Sequence, residues 1–436
     1  MEQLTSQKTF KNYLYFWSGQ LFSLLGSLVV QFVIIWWITI ETQSVIFLSI
    51  ASFLFFLPQV FIVPIAGVFA DRWNRKIIIG IADSLQAIVT FLLIFLFFIE
   101  ITDYWIIILI NTLRGVFQAF HLPTVNAIIP VMVPKDKLSR INGINFLFTG
   151  LIQIIGPIIA ATFLAYFPIK QILWIDIITY FIAIVPLLMI SIPSVKNKLE
   201  RGKKTSFKTD FKIGLTVVKT IPGLLSLMML AMIANFLIRP FNVLMPYYIN
   251  VIHNGTASDL AVVLVFMQIG LISGSLIISL KKKWKNEVEI ILVGAIILNI
   301  GYAFLAYVPS GFFFLIGVGG CIFGFAISII SSIYLTILQI NVPTDKIGRV
   351  ISIDHTLSMA ITPIGAIISG PLAEILGVNN LYFYCAFLGI VVVLIFWIFT
   401  DIKHLTSEKK SELGKFIDNT DDVKTEFDKS TLFTLI

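Results

Sequence analysis

The chain has 436 residues, of which 58% are hydrophobic and only 13% charged, with a mean hydropathy of +0.96. Soluble domains carry about 25% charged residues, so this composition excludes a water-soluble globular protein. The net charge of +7 is distributed between apolar runs, not gathered on one basic surface, which excludes a nucleic-acid-binding reading.

The start, Met1 to Lys11, is polar, and the apolar run behind it is far too long for a signal-peptide core, so no cleavable leader is expected. A membrane helix needs about 20 apolar residues to cross about 30 Å of hydrocarbon. Runs at 14–40, 45–69, 77–99, 104–131, 141–166, 169–191, 222–250, 259–280, 288–308, 310–340, 351–373 and 381–400 meet that length. They predict an all-α integral membrane protein with twelve spans. Between the second and third runs lies Gly67-Val-Phe-Ala-Asp71-Arg72-Trp-Asn74-Arg75-Lys76. Charges this dense cannot sit in hydrocarbon, so the segment is a tight loop at a membrane face. Gly67 permits close helix approach, Asp71 suits the positive end of a helix dipole, and Arg72, Arg75 and Lys76 suit acids or lipid phosphates. Asn74 is the non-glycine type that best tolerates a left-handed backbone.

Polar groups inside the spans are few enough to weigh singly. Asp83, about two turns into the third span, is read as joining the Arg72/Arg75 network, with proton carriage as the other reading. The fourth span carries Leu113-Arg114-Gly115-Val-Phe-Gln118-Ala-Phe-His121. A charge at the centre of a membrane helix costs about 2.5–3.5 kcal/mol even on lenient scales, so Arg114 should face protein or water. Its readings are a structural ion pair, a carbonyl clamp or a coupling element. In the fifth span, Gly156-Pro157-Ile-Ile-Ala160-Ala161 predicts a kinked helix with a closely packed face. Asp176 in the sixth span is a candidate partner for Arg114, although fourth and sixth helices need not touch. Residues 194–220 form the longest polar interruption, where Phe207, Phe211, Leu215 and Val218 recur at helical spacing. They predict an amphipathic helix on the membrane surface. Arg239-Pro240 interrupts the seventh span, with Arg239 lining a cavity or snorkelling to the interface. Asp354 and His355 open the eleventh span where Asp71 is expected to dock, and are read as gate residues first. Trp36, Trp37, Trp105 and Trp174 are expected in an interfacial belt. Phe22, Phe117, Phe120 and Tyr334 are candidates for an apolar cavity wall. Cys321 and Cys385 have no motif spacing and are read as small buried hydrophobes.

Of the 31 Lys and Arg residues, all but Lys170, Arg114 and Arg239 fall on one side if both termini are placed there. The positive-inside rule makes that side the cytoplasm. The chain divides into a first six-helix half (1–193), a basic linker (194–220), a second six-helix half (221–402) and a polar tail (403–436). Val133-Pro-Lys-Asp-Lys-Leu-Ser-Arg140 returns as Val342-Pro-Thr-Asp-Lys-Ile-Gly-Arg349, each time after an incoming span. Two halves related by such a repeat place a ligand near midplane between them.

These motifs resemble those of a known family. The loop from Gly67 to Lys76 is similar to the G-x-x-x-D-R-x-G-R-K signature of the major facilitator superfamily, with Asn74 in place of the second glycine. Arg114 to Gln118 resembles its R-x-x-Q-G element, with Gly115 displaced. Gly156-Pro157 with Ala160 and Ala161 resembles the G-P-x-x-G-G signature of its drug/proton antiporters, with both trailing glycines replaced. Trp17-Ser-Gly-Gln20, Phe56-Leu-Pro58, Ala119-Phe-His121-Leu-Pro123, Val125-Asn126-Ala127 and Gly348-Arg349-Val350 are similar to the bacterial macrolide-efflux branch. The resemblance implies the major facilitator fold and export of amphipathic hydrophobic compounds across the plasma membrane by alternating access with proton antiport. It implies a gating role for Gly67, Asp71, Arg72, Arg75 and Lys76 and a coupling role for Arg114 and Gln118; from their positions Asp354 is a further gate candidate and Asp83, Asp176 and Arg239 further coupling or cavity candidates, with Asp83, Asp176 and Asp354 the candidate proton carriers. The implied partners are a small amphipathic substrate, protons and membrane lipids. Export of a siderophore, another endogenous metabolite or a lysolipid is the alternative. No P-loop, metal-ligand spacing or nucleophile motif is present, so neither an enzyme nor a metal or cofactor site is expected.

Overall fold

A computed structural model describes residues 7–193, 207–281, 284, 286–343 and 346–405, with the side chains of Asp71 and Arg72 outside the described set. Among the described residues, twelve helices are long and apolar enough to cross a membrane. In order they are Thr9–Thr42, Val45–Ala70, Arg75–Phe98, Tyr104–Met132, Lys135–Tyr166, Ile169–Met189, Leu224–Ile252, Ala257–Leu280, Glu287–Leu305, Phe313–Asn341, Ile347–Leu376 and Val378–Phe399, named below as the first to twelfth spans. Among the described residues there is no strand. The protein is a multi-pass membrane protein of two six-helix halves.

Local chemistry sets the boundaries. Asn74 caps the third span, its side chain accepting from Lys76 N at 3.0 Å, with φ −70°. It therefore works as a side-chain cap and not, as the sequence suggests, through a left-handed backbone. Asp103 caps the fourth span, accepting from the amides of Trp105 and Ile106. A capping box of Thr256 and Asp259 opens the eighth. The eleventh span stops at Gly377, whose φ of 79° disfavours a side chain. After Pro246 the seventh span ends in a π-helical turn, Tyr248–Ile252.

Each half repeats one packing pattern. The first span packs on the fifth and sixth, the second on the fourth, and the third on the fourth and sixth; the seventh to twelfth spans reproduce these pairs. Lipid and helix surfaces are equally apolar, so close backbone approach through small residues drives such pairing. A Cβ on Gly270 would lie 2.0 Å from the Cys321 carbonyl oxygen, and one on Gly324 would lie 2.1 Å from that of Met267. These two contacts lock the eighth span to the tenth. Gly115 plays the same part for the fourth span, 2.6 Å from the Phe55 carbonyl oxygen of the second.

The halves meet through the second and eleventh spans and through the fifth and eighth. The face where the first span begins also carries the linker helix, Phe207–Thr220, and is called the linker face below. At the opposite face the contact is tight. A Cβ on Gly370 would meet the Ser49 side chain at 2.7 Å and Ile46 Cα at 2.9 Å. Trp36, Val45 and Ala161 of the first half share a buried cluster there with Phe241, Tyr248, Tyr302 and Tyr382 of the second. Toward the linker face a Cβ on Gly67, Gly143 or Gly348 would have nothing within 4 Å. The molecule is therefore closed at the opposite face and parted at the linker face.

Three sequence expectations change. The linker helix rests in part on protein: Val217 and Val218 are buried and Gly214 lies against Ile353 and Arg349 of the eleventh span, while Phe211 of the expected stripe is exposed. Trp36 and Trp37 leave the expected belt for the interior at 6% and 4% exposure, whereas Trp105 and Trp174 are exposed. Of the cysteines, Cys385 is buried and Cys321 is partly exposed.

Candidate functional site

The third span carries Asp83, Gln86 and Thr90 along one face, at a spacing that stacks them over two turns. Small residues beside them, Ala82 and Ala87, are buried and let neighbouring helices come close. Around this ladder the first half assembles two linked polar groups. Toward the opposite face, Asp176 Oδ2 accepts from Arg114 Nη2 at 3.1 Å and from Thr90 Oγ1 at 2.6 Å. Its Oδ1 accepts from Ser27 Oγ at 3.2 Å, and Ser27 in turn accepts from Gln86 Nε2 at 2.7 Å. Arg114 and Asp176 are 3% and 4% exposed, so the pair is fully enclosed by the first, third, fourth and sixth spans. The structure thus joins two residues that the sequence only made candidates for each other. Gly26 provides the room, its Cβ position lying against Thr179 and Asp176 of the sixth span.

Toward the linker face, Asp83 Oδ1 lies 2.5 Å from His121 Nδ1, and Gln20 Nε2 donates to Oδ2 at 3.5 Å. This corrects the placement of Asp83 in the Arg72/Arg75 network. Its face of the third span turns to the first and fourth spans, while Arg75 Nε turns back to donate to the Ala70 carbonyl at 2.9 Å. His121 lies seven residues beyond Arg114 on the fourth span, about two turns, so one helix serves both acids. Gln118 between them is partly exposed. Lys76 donates to the carbonyls of Leu188 and Ile190, both at 2.7 Å, and closes the C-terminal end of the sixth span.

Burying the Arg114–Asp176 pair is worthwhile only if its hydrogen bonds are well satisfied. Asp176 is well supplied, but Arg114 Nε and Nη1 have no hydrogen-bond partner, and neither has Oδ1 of buried Asn111 one turn before.

The other singled-out residues lie apart. Gly156 packs on Leu25 and Leu28 of the first span, and Pro157 interrupts the fifth-span helix beside it. Arg239 does not reach for the interface: it donates to Thr362 Oγ1 at 2.9 Å and lies 5.8 Å from the Phe56 ring of the first half. Gly365 makes room for its stem. Asp354 is turned into the second half, where Tyr334 Oη donates to it, and His355 is exposed. The side chain of Asp71 lies outside the described residues. Phe22 lies in a lipid-side groove between the first and sixth spans, with Phe181 and Ile182. Two cavities stand out. One of about 800 Å³ lies at the opposite face, between Trp36, Glu41, Lys170, Asn250 and Ser258. One of about 250 Å³ lies inside the second half.

The residues that single-residue reading missed are Gln20, Ser27, Gln86 and Thr90. Their signal was the spacing of Asp83, Gln86 and Thr90 along one face of an otherwise apolar helix. Among the described residues no group of three or more His, Cys, Asp or Glu is placed to hold a metal ion.

Twelve helices long and apolar enough to cross a membrane, in two halves with buried charge pairs inside the first, have the architecture of a polytopic membrane transporter. Residues 16–361 match the Major Facilitator Superfamily, and the chain belongs to that family; it is a transporter and not an enzyme. It is 27% identical over 390 residues to macrolide efflux protein A of Streptococcus pyogenes, covering 89% of this chain and 96% of that protein. With macrolide efflux protein A of Enterococcus faecalis it shares 26% identity over 72% of this chain and 97% of the relative. Its fold matches a D-xylose–proton symporter with a TM-score of 0.68 at 11% identity, over 90% of this chain and 99% of the other.

Proposed function

We propose that the protein exports amphipathic, macrolide-like compounds from the cytoplasm across the plasma membrane by alternating access, driven by proton entry. The observation that carries this reading is the buried Arg114–Asp176 pair, tied through Gln86 and Thr90 to the same helix face as the Asp83–His121 pair. Such groups are costly in a membrane and mark ion or proton pathways. The efflux relatives supply the cargo class.

In this reading the linker face is cytoplasmic, which the positive-inside bias of its basic loops supports, and both termini lie there. Residues 1–193 and 221–402 are the moving halves, 194–220 their connection and 403–436 a tail. In the state described, cargo enters between the parted halves. Docking of the loop from Gly67 through Asp71, Arg72, Arg75 and Lys76 on the start of the eleventh span closes that face. The kink at Gly156 and Pro157 lets the fifth span bend as it does so. A proton from outside reaches Asp176, loosens Arg114 and resets the cycle, with Asp83 and His121 passing it inward. Arg239 and Gln118 face the path.

The test is efflux of preloaded radiolabelled macrolide from energised cells, with and without a protonophore. Protein-dependent efflux that stops when the gradient collapses is expected, with Arg114→Ala and Asp176→Asn both strongly impaired and Arg239→Ala less so. Efflux indifferent to the protonophore would remove proton coupling. An absence of protein-dependent efflux would remove the macrolide cargo and turn the search to siderophores, other metabolites and lysolipids.

A further inference from the structure

Asp354 lies seven residues into the eleventh span and Tyr334 seven residues from the end of the tenth, so both sit about 10 Å inside the linker face. The tyrosine hydroxyl donates to Asp354 Oδ1. Beyond them opens the cavity of about 250 Å³, enclosed by the seventh, ninth, tenth, eleventh and twelfth spans. Most of its wall is Leu, Ile, Val and Ala, and its polar members are Asn235, Asn299, Ser331, Tyr334, Asp354 and Ser358. The two other acids buried within the spans have basic partners, Asp176 with Arg114 and Asp83 with His121. Among the described residues Asp354 has no ion-pair partner. The nearest basic group, His355 next in the chain, acts on it electrostatically without a close ion pair, so the carboxylate is poorly compensated in such surroundings, and the cavity leaves room for a cation.

The amides are oriented for a cation. Asn235 Nδ2 donates to the Ala231 carbonyl at 3.0 Å, and Asn299 Nδ2 to the Ala295 carbonyl at 2.8 Å. One N–H of each amide is thereby used on its own helix, and each Oδ1 keeps its acceptor capacity. Gly389 of the twelfth span makes the space for Asn299, since a Cβ there would fall 2.2 Å from Oδ1. Amide oxygens, hydroxyls and one carboxylate form an all-oxygen set, suited to a hard cation. With a single acid, the charge matched is one.

We propose that this cavity binds a small monovalent cation, a proton or a sodium ion, with Asp354 as its charge and Tyr334, Asn235 and Asn299 as its oxygen donors. The site belongs to the second half and is separate from the Arg114–Asp176 pair. The surrounding charges do not pre-empt it. His355 is exposed; Arg349, one turn before Ile353, lies against the linker helix, whose Lys212 and Lys219 are exposed. Glu287 heads the ninth span one turn before Ile291, and Arg239 is bonded to Thr362, two turns deeper than Asp354. The seventh and twelfth spans add no charged residue to the wall, and Tyr334 is the tenth span's one titratable contribution to it.

The test uses the purified full-length chain in lipid nanodiscs, at equilibrium, so its failure is distinct from a failure of export. Binding of radioactive sodium is measured at alkaline pH, and the infrared C=O band of a protonated carboxyl is followed as pH falls. Saturable sodium binding that weakens about tenfold or more in Asp354→Asn assigns sodium. No sodium binding, with a protonated-carboxyl band that disappears in Asp354→Asn, assigns the proton. Where Asp354→Asn does not fold, Tyr334→Phe keeps the acid and should weaken sodium binding or shift the band. Wild-type protein that shows neither signal, or a signal unchanged in both variants, overturns the proposal.

Discussion

Arg114 holds Asp176 through one nitrogen and leaves two others without partners in a site closed to water. Removing one member of a buried pair leaves the other charge exposed to a low dielectric, at about 3–5 kcal/mol. Arg114→Ala and Asp176→Asn are each expected to lower stability on that scale, and Arg114→Leu with Asp176→Leu together to recover much of it without recovering transport. Thermal unfolding of the purified variants, read beside their efflux, checks both halves of the statement. A double variant as unstable as the singles would contradict the pairing. His253, just past the seventh span, is 2% exposed, its ring tilted at 57° with its centroid 4.4 Å from that of Tyr248. Burial lowers its proton affinity below the ordinary 6.5, with the nearby Pro309 backbone opposing part of the shift. The neutral ring is thus the native form. Its stabilisation is complete above about pH 6.5 and declines as pH falls from there toward the lower folded value. Hydrogen-exchange protection of residues 248–256, corrected for the intrinsic rate at each pH, should fall in that window in the native protein and lose that pH dependence in His253→Phe. The charged motifs were legible because a charge inside an apolar run has few explanations. The partner of Asp83 was not, since its choice between Arg75 and His121 depends on how the third span is rotated, which the sequence pattern leaves open.

At the scale of helices, glycines report the conformation. Gly370 sits where the second and eleventh spans touch at the opposite face, and Gly67 sits free near the linker face. A large side chain at position 370 cannot fit the present state, whereas one at 67 meets nothing until that face closes. Gly370→Val is therefore expected to shift the population toward the state open at the opposite face, and Gly67→Leu to hold the present one. Spin-label distances between the linker-face ends of the fifth and eighth spans should shorten in the first variant and stay long in the second. Equal distributions in both would contradict the reading of the state. The twelve spans were plain in the sequence because hydrocarbon thickness sets their length. Boundaries drifted where caps such as Asn74 extend a helix past its apolar run. The linker helix was correctly periodic, but periodicity gives an apolar face without naming its partner, here the eleventh span.

For the whole molecule, the repeated packing of two halves explains how buried charges and an opening between halves coexist. Each half keeps its own core, and the shared contacts run mainly through the second, fifth, eighth and eleventh spans, with the seventh touching the first and second, and through the cluster at the opposite face. Rocking about those contacts leaves the Arg114–Asp176 network intact within one half; in the proposed cycle its protonation biases which face is open. The central claim is that proton movement and cargo movement are the two sides of one cycle. The most direct measurement places the purified protein in liposomes holding a pH-sensitive dye and adds a macrolide under an imposed pH gradient. The account predicts macrolide-dependent proton flux opposite to macrolide movement, absent in Asp176→Asn. Macrolide movement without proton flux, or proton flux unchanged in that variant, would contradict it.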